Sequence, residues 1–151
     1  MDGWEEGPGV LAAELNALPL AIGTNLTLPG LNDPFVLTYY FETEFTLSAS
    51  QLANLQELKL RHLIDDGAVF YLNGAEVTPR FNMNAGAVNA STVTAASIRN
   101  ATYQGPFDLP TGGLVAGPNR FSAEVHQQAA DGSDIVFGAK LSMTQSLDPN
   151  S

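Results

Sequence analysis

The sequence predicts an all-β fold, specifically an antiparallel β-sandwich of the jelly-roll type. Three observations support this prediction. Apolar residues recur at every second position, as in strands with one buried and one wet face. Fourteen glycines and nine prolines divide the chain into short segments. The wide, irregular connections between these segments favour a jelly roll over an up-and-down barrel.

The alternation is clearest in segments 39–47, 58–64 and 135–143. In 58–64 it places His62 on the inward face with its leucine and isoleucine neighbours, so we expect a buried, hydrogen-bonded histidine. Leu63 alternates with them and shares the other face with two basic residues. A further strand is predicted at 121–125.

Turn residues mark a hairpin in the middle of the chain. Asn73 and Gly74 separate the apolar runs 68–72 and 75–77. Both residues tolerate the positive φ angles of a type I′ turn, which joins strands tightly. Asp65-Asp66-Gly67 predicts another sharp reversal immediately before this hairpin.

The remaining segments are less regular. Ser48 and Gln51 have the spacing of a capping box, which predicts a short helical turn in 48–55. Segment 10–18 has the composition of a helix between proline and glycine breaks, and a short helix there is one of two open alternatives. A loop as long as 81–118 is uncommon in a compact domain. We therefore expect short strands within it, near 93–98 and 107–109.

Length and composition predict one domain and exclude several functions. The 151 residues fit a single sandwich, with an irregular lead-in at 1–34 packed on it and a tail at 144–151. The net charge of −10 argues against nucleic acid as a partner. The absence of cysteine excludes disulfides and thiolate metal sites. No apolar run approaches the ~20 residues of a membrane helix, so we expect no membrane insertion. No signal sequence is evident in this chain.

Four aspartates form the candidate metal site. Asp65 and Asp66 precede a glycine and can offer several oxygens to a hard cation such as Ca²⁺. Asp131 and Asp134 follow the strand at 121–125. In a jelly roll, this strand and the strand at 58–64 can end at the same end of the sandwich. If these carboxylates converge, we expect Ca²⁺ as a structural cofactor. The alternative is turn chemistry alone, in which the aspartates bond the local backbone.

Trp4, Tyr103 and His126 are the candidate ligand-binding residues. Trp4 and Tyr103 lie in weakly patterned segments, where an aromatic ring is available to stack on a sugar. Trp4 has the alternative role of closing one end of the core. His126 shares the outer face of its strand with Glu124, which suggests a cross-strand hydrogen bond or a contact at the rim of a ligand site.

Several stretches together resemble an accessory domain of secreted bacterial multi-domain proteins. They are WEEGP at 4–8, YYF at 39–41, DDGAVFYLNGAEV at 65–77, NM at 82–83 with AG at 85–86, EVHQ at 124–127 and SD at 133–134. That domain has the galactose-binding-like jelly-roll fold and often accompanies phosphoesterase or other hydrolase domains. The resemblance implies secretion or a cell-surface location, and neighbouring domains of the parent protein as partners.

These observations predict a non-catalytic binding module rather than an enzyme. The chain has no Gly-x-Ser-x-Gly motif and no cysteine, so no nucleophile is evident near His126. We expect attachment of a larger secreted protein to a carbohydrate or another cell-surface polymer, with calcium stabilising the loops. The alternative is a rigid docking domain for a neighbouring catalytic domain, with no ligand of its own.

Overall fold

The computed structural model describes residues 4–14, 16–26 and 36–147. Nearly all regular structure in these ranges is β-strand. The one helix in the same ranges, α1, has five residues. The elements in chain order are β1 (Leu11–Ala13), β2 (Thr24–Asn25), β3 (Thr38–Leu47), α1 (Ala49–Ala53), β4 (Leu55–Asp65), β5 (Gly67–Leu72), β6 (Ala75–Phe81), β7 (Tyr103–Leu109), β8 (Gly117–His126) and β9 (Ile135–Gln145).

The strands form two packed sheets, which confirms the predicted all-β sandwich. One sheet has the order β2-β1-β9-β4-β7 and the other has the order β3-β8-β5-β6. In the part of the chain that the structure describes, the short β1–β2 pair is parallel and every other strand pair is antiparallel. The chain crosses between the sheets repeatedly, at β3–β4, β4–β5, β6–β7, β7–β8 and β8–β9. This crossing is expected for a jelly roll and not for an up-and-down arrangement.

Local sequence signals position the hairpin and the helix. Asn73 and Gly74 join β5 to β6 with φ angles of 50° and 82°, as a type I′ turn requires. Ser48 caps α1: its side chain accepts from the backbone N–H of Gln51, whose side chain accepts from the backbone N–H of Ser48. Both predictions are confirmed.

The main core lies between the two sheets and contains the inward faces that the alternation predicts. On β4 the inward residues, including His62, are all at most 2% exposed. Phe41 of β3 stacks across the sandwich on Phe137 of β9, with ring centroids 4.3 Å apart. The other buried residues of this core are Leu47, Leu58, Leu60, Ile64, Ala68, Phe70, Leu72, Val77, Leu109, Leu114, Phe121, Ala123, Val125 and Ile135.

A second, smaller core covers the opposite face of the five-stranded sheet. Its buried members are Val10, Ala12, Leu63, Ala101 and Val136. The prediction that Leu63 lies on a wet face is therefore wrong, because the N-terminal segment packs over that part of the sheet. The helix considered for 10–18 is also absent: residues 11–13 pair with β9 as a strand.

The irregular regions differ in part from expectation. The strand expected near 107–109 is confirmed as part of β7, whereas 93–98 contains no strand. β9 continues to Gln145, so the predicted tail begins inside a strand. Residues 1–3, 15 and 27–34 of the predicted lead-in, and 148–151 of the tail, lie outside the described residues.

Among the described residues, no helix has both the length and the apolar character needed to cross a membrane.

Candidate functional site

Three carboxylates converge where three strands begin or end. Glu14 directly follows β1, and Asp134 directly precedes β9. Because Ala13 and Ile135 are antiparallel partners, these two acids are brought together by the sheet itself. Asp65 is the last residue of β4 and pairs with Val136, on the other side of β9. One carboxylate oxygen from each of the three residues lies within 4.8 Å of the others. We call these three residues the acidic cluster.

The acidic cluster is partly buried and carries unsatisfied acceptors. Asp65 is only 1% exposed, and its Oδ2 has no hydrogen-bond partner. The Oε2 atom of Glu14 is also buried without a partner, while its Oε1 accepts from the backbone N–H and the side chain of Asn16. None of the ion pairs among the described residues involves the cluster. Buried acceptors of this kind cost free energy unless a partner is supplied.

Burial and nearby carboxylates raise the pKa of two residues of the cluster, Asp65 and Asp134. Burial, followed by the neighbouring carboxyl of Asp66 and the charges of Asp134 and Glu14, raises the pKa of Asp65 to about 8. Burial and the charge of Glu14 raise the pKa of Asp134 to about 6. The arrangement therefore resists carrying three negative charges without a compensating positive charge.

Asp66 and Asp131, two of the four predicted metal ligands, lie outside this cluster. Asp66 Oδ1 accepts from the backbone N–H of Ile98 at 2.6 Å, and its Oδ2 accepts from the backbone N–H of Gln128 at 2.9 Å. Asp66 therefore holds two distant loops, rather than bonding the local turn. Asp131 is exposed in the loop before β9. Of the four predicted ligands, the structure brings Asp65 and Asp134 together, with Glu14 beside them.

An open groove of about 660 Å³ lies on the side of the sandwich formed by β3 and β9. It forms because β1 pairs only with Ile135–Phe137 of β9, so the rest of β9 is uncovered there by the described strands. Its floor is apolar and includes Phe41 and Leu141. Trp4 and Tyr40, 49% and 51% exposed, provide aromatic rings along it. Its acidic lining residues are Glu5, Glu6, Glu42 and Glu44.

Two of these acids are held by hydrogen bonds and ion pairs. Arg120, the cross-strand partner of Glu44, places its Nε 3.2 Å from Glu42 Oε1 and a terminal nitrogen 3.8 Å from Glu44 Oε1. Ser122 Oγ donates to the other oxygen of Glu42 at 3.1 Å. Glu42 is thereby fixed in orientation, whereas the Glu44 side chain remains 55% exposed. The groove thus combines aromatic rings with positioned acceptors.

The three predicted ligand-binding residues lie in different places. Trp4 lines the groove. Tyr103 is 43% exposed on β7, at the edge of the five-stranded sheet away from β9. His126 is 0% exposed, which corrects the expectation of a contact at the rim of a ligand site.

His126 is buried beneath the loop that contains Thr92. Its Nδ1 lies 2.7 Å from the carbonyl oxygen of Thr92 and 3.0 Å from Oγ1 of Thr38, its cross-strand partner. Its Nε2 lies 2.9 Å from Glu124 Oε1. The alternative expectation of a cross-strand hydrogen bond is therefore confirmed. The ring holds the loop against the sandwich.

His62 is buried as predicted, but its environment is apolar. Its ring packs against the rings of Phe70, Phe81 and Phe107 at centroid distances of 5.3, 4.7 and 5.4 Å. Nδ1 has no hydrogen-bond partner, in contrast to the expectation. Burial lowers the pKa of His62 to about 4, which favours the neutral ring.

Sequence analysis missed two residues of these sites. Glu14 carries no signal in the sequence, because its segment has the composition of a helix and no short motif links it to Asp134. Tyr40 belongs to the alternating segment 39–47, which by itself predicts a strand and not a ligand contact. An exposed aromatic residue alternating with two glutamates on one strand face was the available signal.

Comparison with known proteins provides little beyond this geometry. No protein-family model matches the chain, and no curated protein sequence matches it. Among solved structures, the chain is similar to a β-D-mannosidase from Dictyoglomus thermophilum, with 17% sequence identity and a TM-score of 0.38. The match covers 66% of this chain and 11% of that chain.

Proposed function

We propose that this chain is a non-catalytic carbohydrate-binding module that attaches a larger secreted protein to a glycan or another cell-surface polymer. The observation that carries the proposal is the pair of exposed rings, Trp4 and Tyr40, in one groove with the carboxylates of Glu42 and Glu44. The secreted, multi-domain setting is supported by the resemblance of segments 4–8 and 65–77 to an accessory domain.

The chemistry of the groove suits a sugar. Pyranose rings present apolar C–H faces that pack on aromatic rings, and their hydroxyls donate hydrogen bonds to carboxylate oxygens. Glu42 is oriented by Arg120 and Ser122, so its position is set before a ligand arrives. A volume of about 660 Å³ lies within the usual range for small-ligand sites.

The charge of the groove selects among sugars. Four glutamates line it, and among the described residues one cation, Arg120, pairs with two of them. Like charges repel, so uronic and sialic acids are disfavoured. Neutral hexoses, N-acetylated sugars and amino sugars are the expected ligands.

A glycan array carrying neutral, N-acetylated, amino and uronic-acid sugars tests the proposal with the full chain in calcium-containing buffer. Binding of neutral or amino sugars, but not of acidic ones, is the expected result. Absence of binding to every glycan contradicts the proposal and favours the docking-domain alternative. Turnover of glycoside or phosphoester substrates by the pure chain contradicts its non-catalytic part.

Variants locate the binding surface once a ligand is found. Trp4→Ala and Tyr40→Ala are expected to weaken the affinity roughly tenfold or more, because aromatic residues dominate such contacts. Tyr103→Ala is the matched control, since it removes an exposed ring at the other edge of the sandwich. Loss of affinity in Tyr103→Ala alone assigns the ligand to that edge and overturns the groove assignment.

A further inference from the structure

We propose that Glu14, Asp65 and Asp134 form a Ca²⁺ site that fastens the N-terminal segment to the sandwich. This proposal is independent of the sugar groove. It rests on the convergence of three carboxylates from three separate elements, and on the buried oxygen of Asp65 that has no protein partner.

The unpartnered oxygen is the observation that distinguishes this cluster from a chance group of surface acids. Asp65 is 1% exposed, and its Oδ2 accepts no hydrogen bond among the described residues. Its sequence neighbour Asp66, by contrast, has both oxygens bonded to backbone N–H groups. A carboxylate buried without a partner is costly, and a bound cation removes that cost.

The ligand chemistry suits calcium better than magnesium. Ca²⁺ accepts six to eight oxygens in a flexible geometry, whereas Mg²⁺ demands a near-ideal octahedron and gives up its water reluctantly. One oxygen of each cluster residue lies within 4.8 Å of the others, close enough for the three to share one cation. Glu14 and Asp134 are only partly buried, so water has access to complete the coordination of six to eight oxygens.

The cluster has no cationic partner from the protein. No lysine or arginine forms an ion pair with it among the described residues. A divalent cation offsets most of the charge of three carboxylates. It also links the end of β1 to the β4–β5 crossing and to the start of β9.

Thermal unfolding of the full chain with Ca²⁺ alone as the ligand tests the site. After chelation and dialysis, saturating Ca²⁺ is expected to raise Tm by roughly 5 °C or more, since it binds only the folded state. Mg²⁺ at the same ionic strength is expected to give a markedly smaller rise. Equal rises with Mg²⁺ and Ca²⁺, or no rise, overturn the proposal.

Matched variants separate the cluster from other acids. Asp65→Asn is expected to abolish the calcium response, and Glu14→Gln, nearer the surface, is expected to weaken calcium binding measured by calorimetry at least roughly tenfold. Asp131→Asn is the control, because it neutralises an exposed acid in the same loop as Asp134. If Asp65→Asn fails to fold, the calcium affinities of Glu14→Gln and Asp134→Asn test the proposal instead. Retained calcium affinity in both overturns the proposal.

Discussion

Asp65 and Asp66 are consecutive residues with opposite hydrogen-bonding situations. The two oxygens of Asp66 accept from the backbone N–H groups of Ile98 and Gln128, whereas Oδ2 of Asp65 is buried without a partner. Asp65 is the last residue of β4, whereas Asp66 lies in the bend between β4 and β5. One carboxylate therefore binds two loops together, and the other faces Glu14 and Asp134.

Asp66→Asn is expected to lower the free energy of unfolding by roughly 2–4 kcal/mol. The amide replaces one acceptor oxygen with a donor, so one of the two part-buried backbone N–H groups loses its charge-assisted bond. Urea denaturation measures the change, with Asp131→Asn as the exposed control. A loss below about 0.5 kcal/mol contradicts the assigned role of Asp66.

Leu63→Ala is expected to cost roughly 2–4 kcal/mol in the free energy of unfolding. Leu63 is 1% exposed in the small core formed with the N-terminal segment, so truncation leaves a cavity. Leu20→Ala is the control, because Leu20 is 44% exposed. Equal, small effects of the two substitutions in urea denaturation would mean that the N-terminal segment does not pack on this face.

His62 makes stability depend on pH in the acid range. Its pKa is about 4 in the folded protein because of burial, compared with about 6.5 when unfolded. Between these values the unfolded chain binds more protons, so the free energy of unfolding falls as pH falls. The loss from this residue is on the order of 3 kcal/mol across the whole window.

His62→Leu removes this titration and keeps the position apolar among three phenylalanines. The difference in unfolding free energy between the variant and the parent chain is expected to shift in favour of the variant between pH 7 and pH 4.5. Urea denaturation at both pH values measures it. An unchanged difference would show that His62 is protonated equally in the folded and unfolded states.

Gly105→Ala is expected to destabilise the protein by at least roughly 2 kcal/mol. Gly105 has a φ of 104°, and a Cβ there would lie 2.6 Å from the carbonyl oxygen of Leu60. Gly112→Ala is the matched control, because a Cβ at Gly112 meets no atom within 4 Å. Thermal unfolding that shifts equally in both variants would contradict the close approach of β7 to β4.

Local sequence identifies two of the three residues of the acidic cluster. Asp65 lies at a glycine turn and Asp134 lies in a loop, and both belong to the cluster. Glu14 was missed because it reaches the cluster only through the pairing of β1 with β9. That pairing joins segments far apart in the chain, and no periodicity within either segment specifies the partner.

The sequence by itself determined the strand faces, the 73–74 hairpin and the cap of α1, because these depend on side-chain alternation and on φ preferences of neighbouring residues. Only the tertiary structure decided which outward-facing residues remain exposed to solvent. Leu63 and His126 point away from the main core, yet both are buried because a separate segment covers each one. Coverage by a distant segment depends on how the whole chain packs, and alternation within one strand carries no information about it.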